Sequence, residues 1–259
     1  MRLTLTLPLL ALCAFHLQSH AADTPPSGDS LAIGAGLAYV PEYAGSDHSR
    51  FVPLPIIEKT FDNGVFLGTR RGLGYQTVLD GVSFSAALSY GGKRADHKQG
   101  IFSGSDALKG MGDIDGSAQA VLSAGYQLGA VGLSLSTTQN IGQRDHGATY
   151  TLGASTQLYA SATDRIGLGL QAVYGDNKHM QTYFGVTAEQ SARSGYRQYS
   201  AKAGFENVNA ALSWDHVIDK SWSVHTAAGL TRLTSDAADS PLTKRKTTPL
   251  LMTGFSYKF

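Results

Sequence analysis

Apolar and polar side chains alternate along much of this chain with a period of two residues. The alternation is clearest in "GDIDGSAQAVLSAGYQL" (112–128) and returns in "VSFSAALSY", "RIGLGLQAVYG" and "WSVHTAAGL". Successive side chains of a β-strand point to opposite faces, so the pattern predicts strands with one apolar and one polar face. In 112–128 the apolar set is Ile114, Ala118, Ala120, Leu122, Ala124, Tyr126 and Leu128.

The predicted strands are long, and their connections alternate between short and long. Several strands reach about 9 to 15 residues, whereas roughly 5 to 6 is usual in soluble sheets. Short turns such as Asp80-Gly81 and Gly129-Ala130 alternate with polar connections near 94–111 and 179–200. This arrangement is typical of outer-membrane barrels, which have short periplasmic turns and long external loops. A soluble β-sandwich is the alternative architecture.

The chain is therefore predicted to be all-β, a transmembrane antiparallel up-and-down β-barrel of about twelve strands. Three places are irregular. The stretch 64–79 must divide near Arg71 for the count to be even, a β-bulge is needed near Glu206-Asn207, and Pro53 and Pro55 disturb the strand at 50–60. The predicted strands span 31–41, 50–60, 64–70, 72–79, 82–93, 112–128, 131–141, 147–161, 165–178, 200–217, 221–235 and 247–259.

The N-terminus predicts export. Residues 1–21 combine Arg2, an apolar run and a small-residue ending at Ser19-His20-Ala21, the pattern of a cleaved signal peptide. A short segment, 22–30, would then precede a barrel domain at 31–259. Cys13, the single cysteine, falls in the signal peptide, so the mature chain has no thiol chemistry. Removal of Arg2 leaves a mature chain with no net formal charge, which gives no indication of nucleic-acid binding.

The C-terminus "MTGFSYKF" places aromatic residues at Phe255, Tyr257 and Phe259, alternating with small or polar residues. In a closed barrel the last strand pairs with the first, and outward rings lie in the aromatic girdle at the membrane surface. These three residues are predicted to close the barrel. The ending also resembles the sorting signal read by the bacterial outer-membrane assembly machinery.

No catalytic, cofactor-binding or metal-binding residues are predicted. The sequence contains no G-x-S-x-G motif, and the histidines after the signal peptide are scattered without ligand spacing such as H-x-x-x-H. Asp113 and Asp115 have the parity of the lumen face. They are candidate lumen charges, either forming a constriction or simply paired with Arg70, Arg165 or Lys202.

The connection 179–200 contains an unusual apolar group, Tyr183, Phe184 and Val186, in a loop expected to be exposed. Exposed apolar clusters usually bind something. The group is a candidate plug of the barrel mouth or a candidate contact for a partner or solute. Behind it, Thr187, Glu189-Gln190 and Gly195 predict one or two helical turns with a glycine stop.

Several stretches resemble the MipA/OmpV family of outer-membrane proteins: "YAGSD" (43–47), "VPLP" (52–55), "GLGY" (72–75), "LKGMGDID" (108–115), "MQTYFGVTAEQSARSG" (180–195) and "DAADSPL" (236–242). The resemblance implies a barrel in the outer membrane of a Gram-negative bacterium, in contact with outer-membrane lipid. The family's namesake is regarded as a scaffold between a lytic transglycosylase and a murein synthase. The resemblance thus implies a non-enzymatic scaffold of the cell envelope, with a narrow pore for small solutes as the alternative.

Overall fold

A computed structural model describes residues 29–100 and 103–259, and its main feature is one closed antiparallel sheet. Each strand pairs with its neighbours in sequence, and the last pairs with the first. The predicted twelve-stranded barrel is confirmed, whereas the predicted signal peptide, residues 1–21, lies outside the described residues. The strands are β1 Ser30–Pro41, β2 Ser49–Thr60, β3 Val65–Gly68, β4 Gly72–Leu79, β5 Val82–Gly91, β6 Ser117–Leu128, β7 Val131–Asn140, β8 Ala148–Ala160, β9 Asp164–Gly175, β10 Gly204–Val217, β11 Trp222–Leu233 and β12 Thr247–Lys258.

The alternation in the sequence becomes an outer apolar surface and an inner polar wall. On β6, Leu122 and Tyr126 are 56% and 49% exposed on the outside. On the inside, the hydroxyl oxygens of Ser85 and Ser123 lie 2.6 Å apart across the β5–β6 pair. An apolar band facing lipid and a hydrated interior are what a membrane barrel requires.

One sector of the inner wall is apolar instead. Ala38, Val40 and Val52 are almost completely buried on the inner faces of β1 and β2. Leu54, Leu250 and Met252 pack against them. Both faces of the wall are therefore apolar here, which explains why the strand at 50–60 shows a weak alternation.

The stretch 64–79 divides into two short strands, as predicted, with a turn at 69–71. Because β3 has only four residues, it pairs with β2 only from Glu58 to Thr60. Thr69 extends this contact, since its backbone N–H donates to the Ile57 carbonyl over 2.9 Å. Among the described residues, β2 has no strand partner on this side between Ser49 and Ile57. Pro53 and Pro55 lie along this open edge.

Several predicted strand ends are wrong because the chain leaves the barrel earlier than the alternation suggests. β5 ends at Gly91, β9 at Gly175, and β10 begins at Gly204. β6 begins at Ser117, so Asp113 and Asp115 precede the strand and do not occupy lumen-facing strand positions. Ile114, placed on the lipid face by its parity, is 7% exposed and forms an isolated bridge with Arg94.

The predicted bulge and helical turns are present. The β9–β10 register shifts between Phe205 and Asn207. The connection between these strands contains α1 (Asn177–Phe184) and α2 (Ala188–Ser194), and a third helix, α3 (Ser235–Asp239), follows β11. Thr187 caps α2 in a reciprocal capping box with Gln190, and Gly195 ends it at a φ of 77°, a conformation that favours glycine. No helix in 29–100 or 103–259 is long and apolar enough to cross a membrane.

The barrel closes through its last residues. β1 and β12 pair from Ala32–Lys258 to Tyr39–Leu251. Beyond the strand, the Phe259 backbone N–H donates to the Leu31 carbonyl over 2.9 Å. Phe255 is 51% exposed on the outer surface, and its ring lies 6.0 Å from that of Trp222. The end of the chain is thus an integral part of the wall and of its aromatic girdle.

Candidate functional site

The end of the barrel with the long connections is covered by a folded structure, which we call the cap. It comprises the described residues of 42–48, 92–116, 141–147, 176–203 and 234–246. These connections pack on one another through two apolar clusters. A ligand or partner that does not bind the lipid-facing surface would contact side chains of the cap or of the lumen beneath it.

The first cluster is built on α1. Met180 and Phe184 are 0% and 1% exposed, and Ala237 of α3 is 0% exposed. The cluster also contains Ala201, Leu233 and Ala238, with Tyr183 and Tyr199 packed against it. The Ser240 hydroxyl donates to the Phe184 carbonyl over 2.6 Å, which ties the end of α1 to the β11–β12 connection.

The second cluster joins the remaining connections around Val186. Its members are Tyr43, Leu108, Met111, Val186 and Leu242, all buried. The Tyr43 hydroxyl donates to the Leu242 carbonyl over 3.1 Å, and burial raises the pKa of this phenol well above its usual value. Val186 also forms an isolated bridge with Tyr199, which packs against both clusters. The two clusters therefore form one continuous packed unit.

Arg94 lies inside the cap as a cation without a carboxylate partner among the described residues. Its Nη1 donates to the Tyr183 carbonyl over 2.8 Å, and its Nε has no hydrogen-bond partner. Burial lowers the pKa of Arg94 to about 10, so it stays protonated at neutral pH. Burying a charge is costly unless hydrogen bonds or ion pairs compensate it. The charge of Arg94 is therefore only partly compensated by the described residues.

A histidine–carboxylate pair anchors α1 to the barrel. His179 Nε2 and Glu206 Oε2 are 2.7 Å apart, and both side chains are largely buried. Asp176 caps α1 by accepting from the His179 backbone N–H over 2.7 Å, and its second oxygen accepts from the Ala148 backbone N–H over 3.0 Å. The beginning of α1 is consequently held by three strands, β8, β9 and β10.

Another network holds the β1–β2 connection, 42–48, against the β5–β6 connection, 92–116. Arg50 Nη2 lies 3.6 Å from Glu42 Oε1 and donates to the Gly104 carbonyl. The Ser105 hydroxyl donates to Glu42 Oε2 over 2.6 Å. This ion pair is nearly buried and joins 42–48 to 92–116, although Arg50 Nε and Nη1 have no hydrogen-bond partner among the described residues.

One group in the described residues has the composition of a metal site: Asp96, His97 and Asp113. It borders a surface hollow of about 600 Å³. The ligand atoms, however, already have partners within the protein. Lys93 lies 2.6 Å from Asp113, His97 lies 2.9 Å from Asp96, and backbone amides donate to both carboxylates. The hydrogen bond from Lys93 lowers the pKa of Asp113, and that from His97 lowers the pKa of Asp96. The group is explained as an internal loop network.

The lumen near the other end holds a constellation that the sequence did not reveal. His225 Nδ1 lies 2.7 Å from Asp215 Oδ1, and His225 Nε2 lies 3.0 Å from Ser256 Oγ. The three residues lie on β10, β11 and β12, and the sheet register alone brings them together. This is the connectivity of a catalytic triad. Ser256 is nevertheless paired with Gly34 and Ser223 in the middle of the sheet, where ladder bonds engage the backbone amides. An oxyanion hole, the second requirement for acyl transfer, has no free backbone donors there.

The predicted site residues are thus distributed over different parts of the molecule. Phe184 and Val186 are buried in the cap. Tyr183 is half-buried beside Arg94, and the centre of its ring lies 5.7 Å from the guanidinium carbon. Asp113 lies in the cap and pairs with Lys93, not with the predicted Arg70, Arg165 or Lys202. Phe255, Tyr257 and Phe259 lie at the opposite end of the barrel, around Trp222.

A closed antiparallel barrel with an outward apolar band, a polar interior and aromatic rows at its ends defines an outer-membrane β-barrel protein, located in the outer membrane. The family described as MltA-interacting protein MipA matches residues 33–259. The chain belongs to this family, and the match spans almost the whole described barrel.

Two kinds of relatives accompany the family match. MltA-interacting protein of Escherichia coli is 27% identical over 98% of this chain and 99% of its own length. Among solved structures, an outer-membrane channel from Pseudomonas putida is 13% identical, with a TM-score of 0.46 over 93% of this chain and 98% of its own. OmpT of Vibrio cholerae is 9% identical, with a TM-score of 0.36 over 90% and 97%. At these scores the structural likenesses do not bear on function.

Proposed function

We propose that this protein is a non-enzymatic scaffold of the cell envelope that brings murein-remodelling enzymes together at the outer membrane. The relative in Escherichia coli carries the name MltA-interacting protein, and similarity to it extends over 98% of this chain. The partners proposed here are a lytic transglycosylase and a murein synthase. The observation that carries the proposal is this full-length family relationship, combined with a barrel whose outer end is covered by the packed cap.

The periplasmic end is the surface proposed for docking. Murein lies on that side of the outer membrane, and the cap residues at the other end are used in packing one another. The periplasmic turns are short and exposed, with Asn63, Ala162 and Lys220 at their tips. A rigid barrel that presents several fixed turns in one plane is suited to hold two enzymes side by side.

Site-specific cross-linking tests this proposal. A photo-reactive amino acid would replace Asn63 or Lys220 in periplasmic turns and, as matched controls, Glu189 or Arg197 in the cap. Irradiated cells should yield adducts containing a lytic transglycosylase from the turn positions only. Turn positions that give no murein enzyme, while the variants assemble normally, would refute the scaffold role.

A narrow pore for small solutes is the alternative function, and the polar inner wall favours it. Serine and glutamine side chains cover much of the lumen from β5 to β7, as at Ser85, Ser123 and Gln119. Planar-bilayer recordings on the purified barrel distinguish the two functions. The scaffold proposal expects no steady conductance, whereas a pore would give discrete steps that persist without any partner.

The Asp215–His225–Ser256 constellation makes the non-enzymatic part of the proposal testable. We interpret it as a polar lumen network, since the ladder leaves no backbone donors for an oxyanion. A fluorophosphonate probe should therefore fail to label the purified barrel at Ser256. Labelling that disappears in both Ser256→Ala and His225→Gln would overturn the interpretation and identify a serine hydrolase.

A further inference from the structure

The lipid-facing surface of the barrel carries one unusual residue near its outer end. Among the outward positions of the described strands, the outer half bears a single formal charge, that of Arg232. Arg232 is opposite Val208 on β10 and Thr247 on β12. Its Nη1 lies 3.5 Å from the Thr247 hydroxyl, and it has no ion pair among the described residues.

Arg232 occupies a gap in the outer aromatic girdle. On one side, the rings of Tyr150, Tyr174 and Phe205 follow one another at 6.3 and 5.7 Å. On the other side, Tyr39 and Phe51 are 5.1 Å apart. Between them, β11 and β12 present Arg232, Thr247 and Pro249. Aromatic girdles mark the headgroup level of a membrane, so Arg232 lies at that level.

The connection just above Arg232 adds basic residues, 244–246. It is fixed in place, because the backbone amides of Lys244 and Arg245 donate to the Gly45 carbonyl over 2.8 and 2.9 Å. Leu233, next to Arg232, donates its backbone N–H to the Lys246 carbonyl over 2.8 Å. Two of the three cations have partners in the protein: Lys246 pairs with Asp239, and Lys244 lies over the Tyr196 ring. Arg245 is exposed and, like Arg232, has no ion pair in the described part of the chain.

We propose that Arg232 and Arg245 form a binding site for the phosphate groups of a glycolipid headgroup in the outer leaflet. Guanidinium groups bind phosphate through paired, charge-assisted hydrogen bonds. An outward arginine destabilises a barrel when it lies at the membrane midplane but costs almost nothing at the interface. The position of Arg232 is therefore suited to contact with lipid headgroups. The site is independent of the scaffold role, because it lies on the outer surface at the opposite end from the periplasmic turns.

Binding of deep-rough lipopolysaccharide to the purified, folded full-length mature barrel tests the site. The variants are Arg232→Gln, Arg245→Gln and the double variant, with Arg193→Gln, an exposed arginine of α2, as the matched control. Each substitution in the site should weaken binding about five-fold, and the double variant more, since one basic residue at a membrane surface contributes on the order of 1 kcal/mol. Arg193→Gln should bind as the native barrel does.

Three results would overturn the proposal. The double variant could bind the glycolipid as tightly as the native protein. The native barrel could bind enzymatically dephosphorylated glycolipid equally well. Vesicles of phosphatidylglycerol could compete as effectively as the glycolipid, which would reduce the effect to general anionic attraction. Heat-modifiable migration of every variant on gels shows that the barrel is folded in each comparison.

Discussion

At the scale of single residues, a half-buried cation in the cap bonds to the backbone of α1. Arg94 bridges 92–116 and the end of α1 through the Tyr183 carbonyl. Replacing one partner of a buried hydrogen bond leaves the other unsatisfied, whereas replacing a poorly compensated charge by an apolar group of similar size can be almost neutral. The two kinds of substitution therefore have different expected effects.

Arg94→Ala should lower the free energy of local cap opening by about 1–3 kcal/mol, because the Tyr183 carbonyl loses its charged donor and a cavity remains. Arg94→Met should lower it less, because it fills the space and removes the desolvated charge. Hydrogen exchange of the amides in 177–200 measures the effect in the folded barrel. Lys98→Ala, an exposed position in the same connection, is the control. Unchanged protection in Arg94→Ala would show that the arginine does not hold the cap.

Phe259 supports a prediction on assembly. Its backbone N–H bonds to β1, and its ring is 70% exposed, 4.8 Å from that of Tyr257. We propose that this ring carries the assembly signal as well as closing the girdle. Phe259→Asp should strongly reduce the folded barrel in the outer membrane, and Phe259→Tyr should be mild because it keeps an amphipathic ring. Pulse-labelled cells scored for protease-resistant barrel give the answer. Normal assembly of Phe259→Asp would make the ring incidental.

At the scale of the strand, β6 offers a direct test of facing. Leu122 is outward in mid-strand, whereas Gln119 faces the lumen and donates to the Asn140 side chain over 3.1 Å. Leu122→Arg should cost about 2–4 kcal/mol if it lies near the membrane midplane, and Gln119→Arg much less, because its charge remains hydrated. Urea unfolding of barrels reconstituted in liposomes measures both. Equal costs would contradict the assigned faces.

The elements that sequence could predict are those in which the two faces of a strand differ chemically. β6 and β5 follow the alternation closely, and the bulge at Phe205–Asn207 was visible as a shift of parity. The alternation fails where a loop continues it by chance: Ile114 keeps the parity of β6 but is buried in the cap. Only the first two residues of helix α1 fall in the strand predicted at 165–178; the rest lie in the connection predicted at 179–200, where eight residues show too little helical period to be recognised.

The same reasoning explains what could be predicted of the candidate site. The capping residues of α2 were readable because Thr187, Gln190 and Gly195 act locally. The Asp215–His225–Ser256 network and the position of Arg94, which has no carboxylate partner among the described residues, were not readable. They depend on sheet register and on packing between connections far apart in sequence. Phe184 and Val186 were singled out as an apolar group, but only the packed cap shows them to be buried. Their burial favours the plug role over direct partner contact.

At the scale of the whole molecule, the cap and the barrel are held together by different kinds of contact. The strand ladder does not need 177–202, whereas both apolar clusters lose central members, Met180, Phe184 and Val186, when that segment is removed. Replacing 177–202 by a short Gly/Ser linker should therefore leave a folded barrel with an open outer mouth. Planar-bilayer conductance should rise from near zero to discrete steps. The control variant Glu189→Ala, on the surface of α2, should show no conductance. A silent but folded deletion variant would mean that the lumen side chains alone close the barrel.

The open edge of β2 affects how this barrel behaves beside its neighbours in a crowded membrane. An unpaired strand edge is a template on which another chain can add a strand. The backbone groups of Ile57 that meet Thr69 point to the open side, and alternation places those of Pro53 and Pro55 on the same side. Proline has no N–H to offer there. The short strand β3 can therefore leave part of β2 unpaired without attracting a strand from another chain. The two prolines that make the segment hard to recognise in the sequence thus also protect this edge from aggregation.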